Sequence, residues 1–248
     1  MNIRKILSAS ALVCAFSVPA LADNMPSVVM TENMQASVPL VTNDVARGIV
    51  TYVAVNPAMT AKGMLGEPVF DNSGDQIATV DDIIVNETGE ATMVIVGEGG
   101  VLGIGEKLAA FDYNLVTHRD ANGDLILPLG QNTMERAMRF SYDSDDADDK
   151  NTVIMPATSY RLSDILDAEV MDPLGNEIAE VDNATLHNGR VEFVVLDLDN
   201  LMGADDQHAA MPYGDLAKST LEGELDFRLT AEQGAVLENF ARMTASGK

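Results

Sequence analysis

The sequence predicts a mainly β protein: two small antiparallel β-barrels in tandem, each followed by a short α-helix, after a signal peptide. The first observation is an internal repeat whose two copies are offset by 100 to 101 residues. The second is that short β-branched runs alternate with turn residues about every eight to twelve positions, which is typical of barrels and sandwiches. The third is a single short apolar run at the N-terminus.

The repeat is the strongest feature of the sequence because it is kept through both strands and turns. Its matching segments are residues 66–82 with 167–183, Asn86–Val96 with Leu186–Leu196, Val101–Gly103 with Leu201–Gly203, and Ala109–Tyr113 with Ala209–Tyr213. Such a repeat predicts two copies of one small β-domain. With no tryptophan and 5% aromatic residues, both cores are expected to be aliphatic.

Residues 1–22 resemble a secretory signal peptide. After a basic start, Ile6–Val18 is an apolar core too short to span a bilayer, and Ala20–Ala22 supplies a small-x-small cleavage site. A retained membrane anchor is the alternative. A lipid-modified start at Cys14 is disfavoured because Val13 is bulky where a small residue is expected. We therefore expect an exported protein, located in a bacterial periplasm.

Signal cleavage would remove the only cysteine, Cys14, and two basic residues, Arg4 and Lys5. The mature chain then has no thiol, which excludes disulfides, thiolate nucleophiles and Cys-ligated metal sites. Of 15 basic residues 13 remain against 39 acidic ones, so the formal charge changes from −24 to −26. Such a surface repels phosphate backbones and anionic headgroups. Cationic partners and weak divalent cation association remain open.

Residues 23–59 form a predicted irregular segment, in which only Gly48–Val55 has the character of a strand that adds to a sheet edge or packs on the first domain. Residues 60–142 form the first predicted domain. Its expected elements are Glu67–Phe70, the turn Asp71–Gly74, Gln76–Val85, the turn Glu87–Glu90, Ala91–Val96, the connection Gly97–Gly105, Lys107–Phe111, the turn Asp120–Gly123 and Leu125–Leu129. A helix that begins with a capping box at Asn132–Glu135 and continues to Phe140 closes this domain.

Residues 143–157 form a predicted acidic linker, because the five aspartates within Asp143–Asp149 cannot pack together. Residues 158–248 form the second predicted domain, with the same strand plan. This domain is expected to end with a strand at Leu225–Leu229 and a helix capped by Thr230–Gln233. The predicted apolar face of that helix consists of Val236, Leu237 and Phe240.

With these residues in view, the chain resembles a tandem PRC-barrel protein. That family includes the cytoplasmic domain of the photosynthetic reaction-centre H subunit and the C-terminal domain of a ribosome-maturation factor. In the first copy the resemblance rests on Leu65–Asp82, the Gly89 turn, Val94–Val96, Gly99–Lys107, and Phe111 before Tyr113. In the second copy it rests on Tyr160–Leu166, Asp172-x-x-Gly175, Val181-Asp182 and Ala210–Tyr213.

The resemblance covers roughly residues 60–142 and 158–243. It implies small, mostly antiparallel six-stranded barrels that are used for assembly and protein contacts, with no shared catalytic residues. The second copy departs from the pattern, since Asp197–Asn200 and Ala204–Asp206 replace most of its loop glycines.

The glycine-rich segment Gly97–Gly105 does not have the pattern of a nucleotide-binding loop. It lacks G-x-G-x-x-G, Glu106 stands where a P-loop has lysine, and the next segment is predicted to be a strand. A tight β-connection is therefore expected. The histidines, His118, His187 and His208, have no metal-binding spacing and are expected at the surface. No serine lies in G-x-S-x-G.

Two clusters could attract cations. Asp143–Asp149 offers carboxylates to Ca²⁺, but Ala147 occupies a ligand position of an EF-hand, the turn glycine is missing and no glutamate closes the loop. Methionine thioethers suit Cu(I) in an oxidising compartment, although methionine is also a common gap-filler or contact residue. The methionines concerned are Met25, Met30, Met34, Met59 and Met64.

These observations favour a non-enzymatic exported protein that acts as a protein-binding or assembly module, through the groove between the barrels or through exposed strand edges. The alternative is a periplasmic cation-binding or stress-responsive protein that uses its acidic surface and Met-rich N-terminal segment. We assign no catalytic, cofactor-binding or metal-binding residue, no cofactor, and no membrane span after signal cleavage. Protein partners are expected, and nucleic acid is not.

Overall fold

Two β-sheets, one built mainly from each sequence copy, dominate the computed structural model. The structure describes residues 50–51, 60–98, 107–118, 124–199, 201, 208–221 and 223–245, all within one compact unit, Gln35–Lys248. The predicted signal peptide, the methionines before residue 50, most of Gly97–Gly105 and the predicted turn Asp120–Gly123 lie outside the described residues.

The elements follow the repeat along the chain. The strands are β1 Val50–Thr51, β2 Pro68–Phe70, β3 Gln76–Asn86, β4 Ala91–Glu98, β5 Lys107–Asp112, β6 Thr117–His118, β7 Leu125–Ile126, β8 Arg139–Ser141, β9 Thr152–Ile154, β10 Ser159–Arg161, β11 Glu169–Met171, β12 Glu177–His187, β13 Arg190–Asp197, β14 His208–Pro212, β15 Ala217–Leu221 and β16 Glu224–Arg228. The α-helices are α1 Gln131–Arg136, α2 Leu162–Leu166 and α3 Ala231–Ala245. Short 3₁₀ helices lie at Tyr113–Leu115, Ser144–Asp148 and Tyr213–Asp215.

The two sheets have equivalent strand orders. The first runs β5-β4-β3-β2-β7-β6, with β10 also paired to β3, and the second runs β1-β14-β13-β12-β11-β16-β15. Both are mostly antiparallel, with one parallel pair at the equivalent place, β2 with β7 and β11 with β16. Within the described residues neither sheet closes on itself, so the prediction of closed barrels was wrong there. The pairing of β10 with β3 instead runs between the two copies.

The one-residue change in the repeat offset lies in the central hairpin. Val80 pairs with Val96 in the first copy and Val181 with Leu196 in the second, so the first strand of the hairpin is offset by 101 residues and the second by 100. Asn86 therefore corresponds to His187, not to Leu186 as the sequence alignment suggested. The first hairpin simply has one more residue in its turn.

Both copies contribute to a single apolar core. Ile83 and Val94 of the first copy and Val194 of the second are fully buried in the same cluster. The core is mainly aliphatic, as predicted, with Tyr213 and Phe227 among its largest fully buried side chains. Burial of apolar surface thus stabilises the two copies together.

A second, smaller cluster overturns the helix predicted up to Phe140. Helix α1 ends at Arg136, and Phe140 lies on β8, 1% exposed, against Ile84 and Ile95 on the outer face of the first sheet. Burial of this aromatic ring outweighs the local helical spacing. The predicted capping box at Asn132 was also wrong, because α1 begins after Gly130 and has no side-chain cap.

The C-terminal helix confirms its prediction. Thr230 N donates to Gln233 Oε1 at 2.8 Å and Gln233 N donates to Thr230 Oγ1 at 3.2 Å, which is a capping box. Val236, Leu237 and Phe240 are all buried. The strand predicted within Gly48–Val55 is present at Val50–Thr51, where it pairs with β14 as an edge strand of the second sheet.

The acidic segment Asp143–Asp149 contains a short 3₁₀ helix. Asp143 caps that helix, because its carboxylate accepts a hydrogen bond from Asp145 N at 2.8 Å. Asp146 Oδ2 accepts a hydrogen bond from Ser141 Oγ at 2.6 Å, which ties the segment to β8. Most of its side chains are exposed, as their charge requires.

Candidate functional site at the junction of the two copies

The segment that begins each copy packs on the other copy. Ahead of the second copy, β10 pairs antiparallel with β3, with Tyr160 opposite Val85. Ahead of the first copy, Thr60 forms a β-bridge with Thr185, and Ala61 N donates to Ala184 O at 2.8 Å. The exchange is reciprocal, so each sheet is extended by backbone from the other copy.

Asp82 holds the start of the second copy. Its side chain is 3% exposed, and its Oδ1 accepts hydrogen bonds from Ile83 N at 2.7 Å, Leu162 N at 3.0 Å and Ser163 N at 3.2 Å. Its Oδ2 accepts from Ser163 Oγ at 2.5 Å. The carboxylate thereby satisfies N–H groups of the first turn of α2 that have no partner within the helix.

The environment of Asp82 acts on its charge in two directions. Burial raises the pKa of Asp82 above its ordinary value, because it penalises the ionised form. Hydrogen bonds from Ser163 and Ile83, and the positive charge of Arg161, lower this pKa and only partly offset the burial. Asp82 is therefore a buried acid whose lone pairs are used to join the copies.

Asn183 does the same in the second copy. Its Oδ1 accepts from Lys62 N at 3.3 Å, in the segment that begins the first copy, and from Ala184 N at 2.9 Å. The repeat aligned Asp82 with Asn183, and this pairing was the sequence signal for a shared role. The role itself was not predicted, because an aspartate that follows Asp81 in a strand is ordinarily expected at a solvent-exposed position.

The tips of the two central hairpins meet face to face. Ala91 N donates to Gly189 O at 2.7 Å, and Val191 N donates to Gly89 O at 2.8 Å. Arg190 Nη1 donates to the Thr88 carbonyl at 3.1 Å. Backbone hydrogen bonds therefore join the copies at both ends of the junction.

Each hairpin glycine lies against a tyrosine of the other copy. A Cβ on Gly89 would lie 2.8 Å from the Tyr213 ring, and one on Gly189 would lie 3.0 Å from the Tyr113 ring. Both glycines have positive φ, +84° and +71°. Only glycine combines that backbone conformation with so close an approach of a ring.

The two tyrosine hydroxyls are buried, and within the described residues neither has a hydrogen-bond partner. Burial raises the pKa of Tyr113 to about 12. Burial also raises the pKa of Tyr213, with smaller contributions from Tyr160 and Glu87. Lys218 Nζ lies 3.9 Å from the centroid of the Tyr213 ring, a cation–π contact.

We expect Tyr113→Phe and Tyr213→Phe to leave the free energy of unfolding at pH 7 unchanged or to raise it slightly, because each removes a buried unpaired hydroxyl. Since the folded pKa of each tyrosine lies above its ordinary value of 10, the folded state binds more protons above pH 10. Wild-type stability should therefore fall as pH rises through that range, and less so in each variant. Urea unfolding at pH 7 and pH 11 measures this, and a loss above about 1 kcal/mol at pH 7 would indicate a hydroxyl partner.

Charged side chains border the junction at the surface. Tyr142 Oη donates a hydrogen bond to Asp81, Arg161 forms a salt bridge with Asp164, and the Arg161 guanidinium lies 5.2 Å from the Tyr142 ring centroid. On the opposite side of the junction, Lys62 Nζ of the first copy lies 2.6 Å from Asp182 Oδ1 of the second. His208 Nε2 lies 3.7 Å from the other oxygen of Asp182. These exposed pairs add specificity more than stability.

The other two histidines lie on strands, and His187 adjoins the hairpin tip of the second copy. His118 lies on β6 opposite Leu125, and His187 ends β12 opposite Arg190. Of Gly97–Gly105, only Gly97 and Glu98 are described, as the end of β4.

The structure describes only part of the residues that the sequence analysis considered as cation ligands. Met64 is fully buried in the shared core, which accounts for it as a packing residue. The methionines before residue 60 lie outside the described residues. In the part of the chain that the structure describes, no group of three or more His, Cys, Asp or Glu side chains is arranged to hold a metal ion.

The comparison with protein families gives one match. Residues 58–127 match the PRC-barrel domain. The match begins just before the segment that packs on the second copy and ends after β7, so it covers the first copy only. No curated protein matches the chain.

None of the helices among the described residues is long and apolar enough to cross a membrane. The chain carries a PRC-barrel domain at residues 58–127.

Proposed function

We propose that this protein is a non-enzymatic, exported assembly module built from two PRC-type copies. In this proposal residues 158–243 are a second, diverged copy, and residues 1–22 direct export to the periplasm. The equal lengths of β3 and β12, 11 residues each, and of β4 and β13, 8 residues each, support the duplication. The parallel pair at the equivalent place in each sheet supports it further.

The observation that carries the proposal is the reciprocal exchange at the junction. Each copy is held by a segment of the other, and both share one core. Their orientation is therefore fixed by burial and by backbone hydrogen bonds. A rigid body that presents two sheets suits an assembly role, since little binding energy is lost in ordering it.

The buried polar groups of the junction are occupied in joining the copies. The two oxygens of Asp82 accept four hydrogen bonds, and Ser163 Oγ is one of the donors. A catalytic serine must meet its substrate, but its hydroxyl here donates to Asp82, which is 3% exposed and has its other oxygen held by three backbone N–H groups. This arrangement favours a structural role over turnover.

The proposal is tested by cross-linking in the cell envelope. The tagged chain is expressed with its signal intact, cross-linked, purified and analysed by mass spectrometry. We expect a reproducible protein partner, which is absent when residues 2–22 are deleted so that the chain stays in the cytoplasm. A chain recovered without any partner, or a saturable enzymatic activity that maps to a few polar residues, would contradict the proposal.

A further inference from the structure

Four carboxylates lie side by side across the outer face of the second sheet. Asp226 on β16 lies directly opposite Glu169 on β11. Glu169 in turn lies opposite Glu180 on β12, on its other side. Glu180 lies opposite Asp197 on β13. We call these four residues the acidic row. Like charges directly opposite each other on neighbouring strands are destabilising, so the row weakens the sheet that carries it.

The carboxylates of the row interact with one another and with their neighbours. Burial raises the pKa of Glu169, and the negative charges of Glu177, Asp226, Glu224 and Glu180 raise it further. Glu169 and Glu180 are nevertheless exposed to solvent. The row is thus a solvent-facing surface of concentrated negative charge.

The first copy lacks the row although its sheet has the same plan. The positions that correspond to Glu169, Glu180 and Asp197 are neighbours in the first sheet too, and they are occupied by Pro68, Thr79 and Gly97. The fold therefore does not require charge at these places. The position of Asp226 alone keeps a carboxylate in the first copy, Asp124, so a continuous row exists only in the second copy.

The row leads to an edge of the sheet. Asp226 pairs with Ser219 on β15, the last strand in the order of the second sheet. Within the described strands β15 pairs with β16 only, so alternate backbone N–H and C=O groups of its five residues face outward. Such an edge is a template for another strand.

Lys218 of β15 is not placed to prevent this strand from pairing with another chain. Lysine on an edge strand commonly prevents pairing with other chains. Lys218 instead folds back, with its Nζ over the Tyr213 ring and donating to the carbonyls of Tyr213 and Leu216 at 3.3 Å each. Its charge is used inside the copy, and no described strand pairs with the outer side of β15.

We propose that β15 accepts an extended segment of a partner protein, which adds a strand to the sheet and carries Lys or Arg at alternate positions. This inference rests on the proposed function. Strands lie about 4.8 Å apart, so the outward-facing side chains of the added strand lie about 10 Å from Asp226 and continue the line of the acidic row. Alternate cations would offset the repulsion within the row, whereas phosphate-bearing partners would be repelled.

The probe is a blocked seven-residue peptide with lysine at every second position and valine or threonine between. It is titrated into the ¹⁵N-labelled mature protein, and amide shifts are followed by NMR. We expect shifts concentrated at Ala217–Leu221. A peptide of the same sequence, N-methylated along one edge so that it cannot pair, should bind at least about tenfold more weakly, because backbone hydrogen bonds carry strand addition.

Variants that neutralise carboxylates of the acidic row test whether peptide binding depends on the row itself or only on the overall negative charge of the protein. Glu169→Gln, Glu180→Gln and Asp226→Asn combined should weaken binding by about tenfold. The matched control combines Asp75→Asn, Glu192→Gln and Glu232→Gln, exposed carboxylates elsewhere, and should bind like the wild type.

Equal binding by the two triple variants, shifts spread over other surfaces, or equal binding of the N-methylated peptide would overturn the inference. The proposed function would survive such a result if envelope cross-linking still captured a partner. The proposed function would fail separately if envelope cross-linking recovered the chain without any partner protein.

Discussion

Asp82→Ala is expected to lower the free energy of unfolding by about 2–4 kcal/mol. The change leaves the N–H groups of Leu162 and Ser163 without their acceptor at a junction where Asp82 is 3% exposed. A buried donor without a partner costs about 1–3 kcal/mol. Urea unfolding at pH 7 measures the loss, with the slope checked to confirm that the variant still unfolds in one transition.

The matched control is Asp82→Asn, which places in the first copy the residue that the second copy has at Asn183. The amide oxygen can accept the same backbone hydrogen bonds, and its nitrogen can donate to Ser163 Oγ, so we expect a loss below about 1 kcal/mol. If alanine and asparagine destabilised the chain equally, the hydrogen bonds of Asp82 would not be what joins the copies.

The same pair of variants gives a dependence on pH. The folded pKa of Asp82 is raised above its ordinary value of 3.8, so the folded state binds more protons in the window above pH 3.8. The contribution of Asp82 to stability is therefore greatest below that value and falls as pH rises through the folded pKa. Asp82→Asn lacks this loss, so the stability of the variant relative to wild type should increase from pH 4 to pH 7.

Gly89→Ala is expected to lower the free energy of unfolding by about 2–5 kcal/mol. Its Cβ would lie 2.8 Å from the ring of Tyr213 and 3.1 Å from the Val191 carbonyl oxygen, at a φ of +84°. A left-handed conformation costs a residue with a Cβ roughly 1–2 kcal/mol. Overpacking adds about 1–3 kcal/mol. Thermal and urea unfolding measure the sum.

Gly175→Ala isolates the backbone contribution. Gly175 has nearly the same φ, +87°, but a Cβ there would meet nothing within 4 Å. We expect a loss of about 1–2 kcal/mol, from the conformation alone. The difference between the two variants is the cost of separating the copies at the hairpin tip. Equal losses would mean that the Tyr213 ring moves away freely and does not hold the junction.

Many turns and strands of the fold could be predicted from the sequence because they depend on residues that are close together in the chain. The turn at Asp71–Gly74, the hairpin turn at Gly89 and the capping box at Thr230 each depend on residues within four positions of one another. The apolar residues of the predicted strand Gln76–Val85, among them Val80, Ile83 and Val85, are buried in β3. The repeat required no tertiary information either, since it is a property of the residues themselves.

Local patterns failed where contacts distant in sequence set the outcome. The apolar spacing around Phe140 fits a helix, yet the ring is buried on a strand against Ile84 and Ile95. The sequence contains no information at short range about that outer sheet face. Asn132 likewise had the pattern of a cap, but α1 begins earlier, after Gly130.

The sequence by itself predicted two similar β-rich segments and the places of most of their strands and turns, and it determined that the chain is strongly acidic. Only the tertiary structure decided how the copies are joined. Asp82 and Leu162 are 80 residues apart, and Gly89 and Tyr213 are farther apart still. Hydrogen bonds and close contacts at such separations leave no periodic trace along the chain, because they depend on the packing of both copies into one core.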